Sequence, residues 1–237
     1  MSIRKSLILS YTQKYTTIVF QFISMLVIAR LMTPIEIGIF ATGAAYVALA
    51  AVFCNLGQLD FLIKTRELDA PKLRASFGLS LLATSICTLL LFIINTLLNN
   101  NNQELYSVIL ILAIANLLQP FSLLYRARLY REMDFGQLYL VNTAKDAALA
   151  FGSIGFVLFG YSSLGLALGL LGEKLVLIIF ALFHRRQYSY YLPSLKGMSK
   201  QFNFGLLRTG IHGLSAIGEA LSKLIISTQL GFSSLGL

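Results

Sequence analysis

The sequence predicts an all-α fold, a polytopic membrane helix bundle. Three observations predict it: an apolar composition, seven apolar runs of membrane-spanning length, and a one-sided distribution of Lys and Arg between those runs. Of the 237 residues, 57% are hydrophobic and 12% charged, with a mean hydropathy of +0.75. A soluble domain is about 25% charged. This excludes a soluble globular domain, a disordered chain and a disulfide scaffold, because neither water nor a single core can accommodate so much apolar surface.

A spanning helix needs about 20 mostly apolar residues. The runs that qualify are Leu7–Leu31, Ile37–Leu59, Ala75–Leu98, Leu105–Tyr125, Phe135–Phe159, Ser163–Phe183 and Asn203–Leu230, and the second, third and fourth carry no charge. None alternates polar and apolar residues as a barrel strand does. Without water in the bilayer core the backbone must bond to itself, which makes these runs helices. Arg4 and Lys5 precede the first run, but no small-residue cleavage site follows a short apolar core. That run is expected to stay as an uncleaved membrane helix.

The connectors fit this reading. Thr33-Pro34 and Gly38 separate the first two helices, and a proline without an N–H is harmless at a helix start. Asn99 to Asn102 ends the third, and Gly160-Tyr161-Ser162 is a tight turn between the fifth and sixth. The long connectors, Ile63–Arg74, Arg126–Asp134 and His184–Phe202, hold the charge.

Lys and Arg set orientation. With the N-terminus in the cytoplasm, the inside segments hold thirteen bases: Arg4 and Lys5; Lys64, Arg66, Lys72 and Arg74; Arg126, Arg128 and Arg131; Arg185, Arg186, Lys196 and Lys200. The outside connectors hold Arg30 alone. The formal charge of +9 therefore follows from topology and from attraction to anionic lipid heads. No soluble basic domain is left to present to a nucleic acid.

Five bases remain inside helices: Lys14, Lys145, Lys174, Arg208 and Lys223. With them are Asp146, Glu173 and Glu219, and also His212. A charge in the bilayer core costs about 2.5–3.5 kcal/mol on the insertion scale, so it faces protein or water. At 100° per residue from Arg208, His212 lies at about 40°, Glu219 at about 20° and Lys223 at about 60°. Ser215 and Ser222 complete this polar stripe. Ser10, Lys14, Thr17, Gln21 and Ser24 fall within about 80° on the first helix. Asn142, Lys145 and Asp146 share one side of the fifth helix, opposite Glu173 and Lys174 at the middle of the sixth.

Because adjacent residues on a helix do not face each other, the expected pairs are Lys145 with Glu173, or Asp146 with Lys174, across the Gly160–Ser162 hairpin. A structural salt bridge and a substrate role are both open there. The stripes on the first and seventh helices point to a water-filled cavity. Five bases against three acids make it cationic, suited to an anionic substrate group. Lys14, Lys145, Lys174, Arg208 and Lys223 are its substrate-binding candidates. Asp146, Glu173, His212, Glu219, Gln21 and Asn142 are its polar or coupling candidates. His212 titrates near neutrality when unperturbed, which allows a proton relay or a plain hydrogen-bonded role.

Cys54 and Cys87 lie in apolar runs with no CxxC partner and are expected to be inert packing groups. Gly165, Gly169 and Gly172 are expected to let helices approach closely. No HExxH, GxSxG, Walker A or GxGxxG pattern occurs. No metal, cofactor or enzymatic nucleophile is expected.

Several stretches resemble a known family. Ile28-Ala29-Arg30-Leu31-Met32-Thr33-Pro34, then Glu36 and Gly38-Ile39-Phe40-Ala41, resembles the "ARLLTPxExGIFA" signature of bacterial polysaccharide biosynthesis flippases for O-antigen, capsule or exopolysaccharide. Asn55-Leu56-Gly57, Leu62-Ile63, Arg66-Glu67-Leu68 and Ala75-Ser76-Phe77 are similar to its "DLG…ALIQRKEL…AFW" region, with Asn55 where the family often has Asp. Arg126 through Phe135 resembles its "RAxLxRxMxF" loop. The pieces keep the family's order and spacing along the whole chain.

The resemblance implies membership of the multidrug/oligosaccharidyl-lipid/polysaccharide exporter superfamily, whose proteins have twelve to fourteen helices in two six-helix lobes. It implies residues 1–183 as an N-terminal six-helix lobe, 184–202 as a basic cytoplasmic linker, and 203–237 as the first helix of an incomplete second lobe. A truncated or partial chain is expected, unable to alternate access without a second lobe to rock against. The implied function is movement of a polyprenyl-diphosphate-linked oligosaccharide across the cytoplasmic (inner) membrane, with membrane lipids and polysaccharide assembly proteins as partners and the lipid tail left in the bilayer. The alternatives are a cation-coupled efflux antiporter of the same superfamily and a membrane polysaccharide polymerase or ligase. The short outside connectors argue against the last of these.

Overall fold

A computed structural model describes residues 3–55, 57–65, 69–98, 102–183, 193–194 and 198–230. The side chains of Cys54, Arg208, His212 and Glu219 lie outside the described residues, as do Arg66, Arg185, Arg186 and Lys196. The described elements are all helical: α1 (Ile3–Leu31), α2 (Pro34–Asn55), α3 (Gln58–Lys64), α4 (Ala70–Leu98), α5 (Gln103–Leu117), α6 (Gln119–Arg131), α7 (Phe135–Leu158), α8 (Ser162–Phe183) and α9 (Met198–Leu230).

Each predicted run falls on a helix, with two corrections. The fourth run is two helices, α5 and α6, meeting at a bend of 44°. Pro120 causes it: it sits in the first turn of α6 and lacks the N–H that would bond back into α5. The charged connectors are also shorter than expected. Helix α3 takes up part of 63–74, and α6 runs on to Arg131. A helix carrying Arg and Lys past the hydrocarbon edge keeps its backbone bonded while the heads reach water.

Four helices (α1, α2, α4 and α8) are long and apolar enough to cross a membrane, and a fifth crossing follows if the bent α5–α6 pair is one span. The chain is therefore a multi-pass membrane protein. Helix α7 has the length, 24 residues, and is carried between α1 and α8, its main neighbours. Apolar side chains on α1 and α4, such as Tyr15, Phe22, Met25, Leu89 and Leu97, are exposed, as lipid-facing groups are.

Local chemistry sets the helix starts. Thr33 and Glu36 form a reciprocal cap on α2: the Thr33 backbone N–H donates to Glu36 Oε2 at 2.7 Å, and the Glu36 N–H donates to Thr33 Oγ1 at 3.4 Å. With Pro34 at the first helical position, this is a capping box. It gives the Thr-Pro-x-Glu of the sequence a structural reason. Asn102 accepts from the Leu105 N–H at 3.2 Å, and Asp134 from the Gln137 N–H at 3.1 Å, capping α5 and α7. Gly160 takes φ +88° in the turn between α7 and α8, a conformation that favours glycine.

The closest helix contact is α7 against α8. A Cβ on Gly169 would lie 2.0 Å from Ser153 Oγ and 2.9 Å from the Ser153 nitrogen, and one on Gly165 would lie 2.9 Å from Val157. These two glycines, four apart, let the backbones meet. Gly172 does not belong with them, since a Cβ there would meet nothing within 4 Å. Apolar clusters close the bundle above and below this contact: Tyr125, Leu129, Leu138, Val141 and Leu177 at one end, and Met32, Val157 and Leu166 at the other. Cys87 is buried and free, in keeping with a packing role.

Polar contacts tie together the end that carries most bases. The Arg131 guanidinium donates to the carbonyls of Leu62, at 3.0 Å, and Thr65, closing the C-terminus of α3. Gln201 Nε2 donates to the Lys72 carbonyl at 3.2 Å, and Ser76 Oγ donates to Gln201 Oε1 at 3.1 Å. Helix α9 is thereby fastened to α4, and it lies along α2. It docks through Gln201, Ala220 and Ser227, all buried, and through an edge-to-face contact of Phe204 with Phe61 at 5.6 Å.

Candidate functional site

The charged side chains of α7 and α8 meet in the middle of the bundle. Lys145 Nζ lies 2.7 Å from Asp146 Oδ1 and 3.7 Å from Glu173 Oε1, and Lys174 Nζ lies 3.4 Å from Glu173 Oε1. Asp146 and Glu173 are buried. The predicted cross-helix pair Lys145–Glu173 is present. The sequence neighbours also pair, against expectation, because a four-carbon lysine stem bends back along its own helix. Gly165 and Gly169 make the cross-helix contact possible, since Gly169 is one turn from Glu173 and lets α8 reach α7.

This cluster holds two cations and two anions. The centre between α7 and α8 is balanced and not cationic, so Lys145 and Lys174 are each already held by a carboxylate. Lys223 is exposed on α9, which lies along α2 and touches α3 and α4. It stands apart from the α7–α8 cluster. Arg208, His212 and Glu219 lie outside the described side chains.

Helix α1 supplies the third wall. Its polar stripe faces α7, and Thr17 Oγ1 donates to Asp146 Oδ2 at 2.5 Å. Two clefts flank that bond. The larger, about 590 Å³, lies among α1, α2, α7 and α8; Gln21, Ser24, Asp146 and Ser153 are its polar lining, and Phe20, Phe40 and Leu170 are part of its apolar walls. The smaller, about 500 Å³, lies among α1, α6 and α7, lined by Ser10, Gln13, Lys14, Thr17, Tyr130 and Asn142 together with apolar groups. Every residue of the α1 stripe thus lines one cleft or the other, and so do Asn142 and Asp146.

Among the described residues, no cluster of three His, Cys, Asp or Glu is placed to hold a metal. The structure places the α1 stripe and the α7–α8 charges around these clefts, and it adds Gln13 and Tyr130, which were not singled out in the sequence, to the lining of the smaller one. Gln13 lies just outside the α1 stripe, about 20° beyond Ser24 at 100° per residue, and Tyr130 reaches the cleft only because α6 continues past Tyr125. The lock of Arg131 on α3 carried no signal in the spacing either.

Residues 27–237 match the family described as "Polysaccharide biosynthesis protein". The chain is 22% identical over 213 residues to the lipopolysaccharide biosynthesis protein WzxC of Escherichia coli (strain K12), covering 88% of this chain and 43% of that protein. It is 19% identical over 224 residues to the teichuronic acid biosynthesis protein TuaB of Bacillus subtilis (strain 168), covering 92% of this chain and 46% of that one. The chain spans less than half the length of either relative. No solved structure matches it significantly.

Proposed function

Since this chain belongs to the polysaccharide biosynthesis protein family, we propose that it is a non-enzymatic transporter component. It moves a polyprenyl-diphosphate-linked oligosaccharide across the cytoplasmic membrane for surface polysaccharide synthesis. The observation that carries this reading is the polar face of α1, which lines two clefts at membrane depth beside a buried charged cluster. A scaffold gains nothing from holding such groups in hydrocarbon, whereas a hydrophilic cargo needs them. The relatives' names support polysaccharide assembly as the setting.

In this proposal residues 1–183 form one lobe, 184–202 link it, and 203–237 begin a second. The division is supported by relatives more than twice as long as the matched segment. The chain crosses the membrane seven times with its N-terminus inside, a reading supported by the gathering of Lys64, Lys72, Arg74, Arg128 and Arg131 at one end of the bundle. Reporter fusions after Arg131 and after Lys200 are expected to read cytoplasmic, and a fusion at Asn101 periplasmic. A periplasmic signal at Lys200 removes this topology.

The transport reading is tested by export of surface polysaccharide at matched protein level. Replacing Lys14, which lines the smaller cleft, with alanine is expected to lower export more than replacing Arg185 or Lys196. A cation at low effective dielectric attracts a diphosphate more strongly than one in a screened loop. Intact export with Lys14→Ala present overturns the cationic-site mechanism.

A further inference from the structure

We infer that Ser194 and the start of α9 form a collar around α4 at the basic end of the bundle, and that this collar stays closed through transport, so that α9 swings from it as from a fixed pivot. The pivot's part in transport rests on the transport reading above; the grip itself does not.

The grip has two sides. On one, the Ser194 backbone N–H donates to the Arg74 carbonyl at 3.2 Å. A carbonyl has two lone pairs, so Arg74 accepts this bond without leaving the helical ladder. Gly78, one turn further along α4, makes the approach possible. A Cβ there would lie 2.8 Å from the Ser194 oxygen, 3.1 Å from its nitrogen and 3.3 Å from its carbonyl carbon. All three are backbone atoms, so no change of rotamer relieves the clash. On the other side, Gln201 Nε2 donates to the Lys72 carbonyl at 3.2 Å, and Gln201 Oε1 accepts from Ser76 Oγ at 3.1 Å. Both ends of one amide are used, and Gln201 and Ser76 are buried.

The two sides are nearly opposite. At 100° per residue, Arg74 and Gly78 centre about 200° around α4 from Lys72 and Ser76. Contacts on one face would let α9 peel away; contacts on two opposite faces do not. The burial pattern agrees. Every residue from Ala75 to Ser80 is buried, more than one and a half turns of helix with no open face. Further along α4, Leu82, Ile86, Leu89 and Leu90 are exposed, as on a helix with one side to lipid.

Neighbouring contacts brace the collar. Phe77 of α4 meets Phe121 of α6 edge to face at 5.9 Å, and Phe61 of α3 meets Phe204 of α9 in the same way. Arg131 of α6 holds the end of α3. Opening the collar would strand a buried amide and a buried hydroxyl without partners, the costly kind of hydrogen-bond loss. A helix held at one end has its freedom at the other. In the transport reading, where 203–237 begin a second lobe, that lobe therefore moves by swinging its far end, and any separation at the basic end takes place away from α4.

The test uses the 237-residue chain with Cys54→Ala, in cell membranes. Cys87, buried in α4, is kept as the folding control, because N-ethylmaleimide reaches it only if the bundle opens. Ser76→Cys with Gln201→Cys is expected to be bridged by a short bifunctional thiosulfonate at least tenfold more than Ser76→Cys with Leu221→Cys, whose second thiol lies about 30 Å along α9. Bridging is read from the intact mass. Gly78→Val is expected to raise labelling of Ser194→Cys at least fivefold. Gln201→Leu keeps the volume, removes both bonds and should raise labelling of Ser76→Cys at least fivefold; it decides the point if the valine variant exposes Cys87. Export of surface polysaccharide at matched protein level is expected to stay within twofold when the 76–201 bridge is formed in living cells.

Bridging no better than that of the distant pair overturns the inference, and so does labelling indifferent to both Gly78→Val and Gln201→Leu. A bridge that stops export, with recovery when it is reduced, overturns it too, because the collar then has to open; the transport reading survives that result. Export unchanged when the chain is removed sinks the transport reading, and the collar then stands or falls on bridging and labelling alone.

Discussion

Gly169→Val is expected to disrupt the bundle at its tightest point. The new Cβ would lie 2.0 Å from Ser153 Oγ and 2.9 Å from the Ser153 backbone nitrogen. The hydroxyl can rotate away, but the backbone of α7 cannot. Relief therefore requires α7 and α8 to move apart along their length. Overpacking a core costs about 1–3 kcal/mol when side chains absorb the strain. Here backbone must absorb it, so a loss of about 3 kcal/mol or more is expected, as is typical of the diagnostic large effects. The same separation pulls Glu173 away from Lys145, a contact already at 3.7 Å.

Gly172→Ala, one turn further along α8, is the internal control. Its Cβ meets nothing within 4 Å, and alanine favours a helix by about 0.5–1 kcal/mol over glycine. The measurement is thermal unfolding of both variants in the same detergent. A valine at 169 as stable as an alanine at 172 would show that the α7–α8 approach does not depend on glycine. Gly165→Val should resemble Gly169→Val, because its Cβ also meets backbone, the Val157 nitrogen at 2.9 Å.

The helices were legible in the sequence because bilayer thickness fixes their length and composition marks their extent. Hydropathy could not show that Leu105–Tyr125 breaks, since Pro120 leaves the apolar character of the run unchanged and alters only its backbone bonding. It also missed α3, where Gln58, Asp60 and Lys64 dilute the apolar signal below any membrane threshold. At the site, periodicity found the α1 stripe because five polar residues on one face of a spanning helix need a polar neighbour. It could not assign partners. Whether Lys145 turns to Asp146 or to Glu173 depends on lysine stem flexibility and on the glycine-set distance between helices, and the structure shows both contacts. The excess of cations in the sequence count did not carry over to the described centre, because Lys145 and Lys174 face equal numbers of carboxylates.

Removing the Asp146 carboxylate should expose that balance. Asp146 is buried, accepts from Thr17 on α1 and pairs with Lys145. Asp146→Leu would leave Lys145 and Lys174 sharing Glu173 and strand one positive charge among apolar walls. Breaking a buried pair from one side costs about 3–5 kcal/mol. Lys145 keeps Glu173 at 3.7 Å, so the lower part of that range, about 3 kcal/mol, is expected. Asp146→Asn separates two contributions, because its amide oxygen still accepts from Thr17 while the charge is gone. It should recover the α1 contact, worth about 0.5–1.5 kcal/mol for a hydrogen bond, and no more. The decisive variant is the double replacement Lys145→Met with Asp146→Leu, which leaves Glu173 and Lys174 as a neutral pair. It should be markedly more stable than Asp146→Leu alone, with a coupling within the 0.5–3 kcal/mol that contacting residues show. If the double variant is instead as unstable as the two single losses added together, the charges act independently and the balanced cluster is not what holds α7 to α8. Export measured on the same variants then separates structure from transport. Stability restored together with export makes the pair a structural fastening, whereas stability restored without export assigns Asp146 a part in moving the cargo.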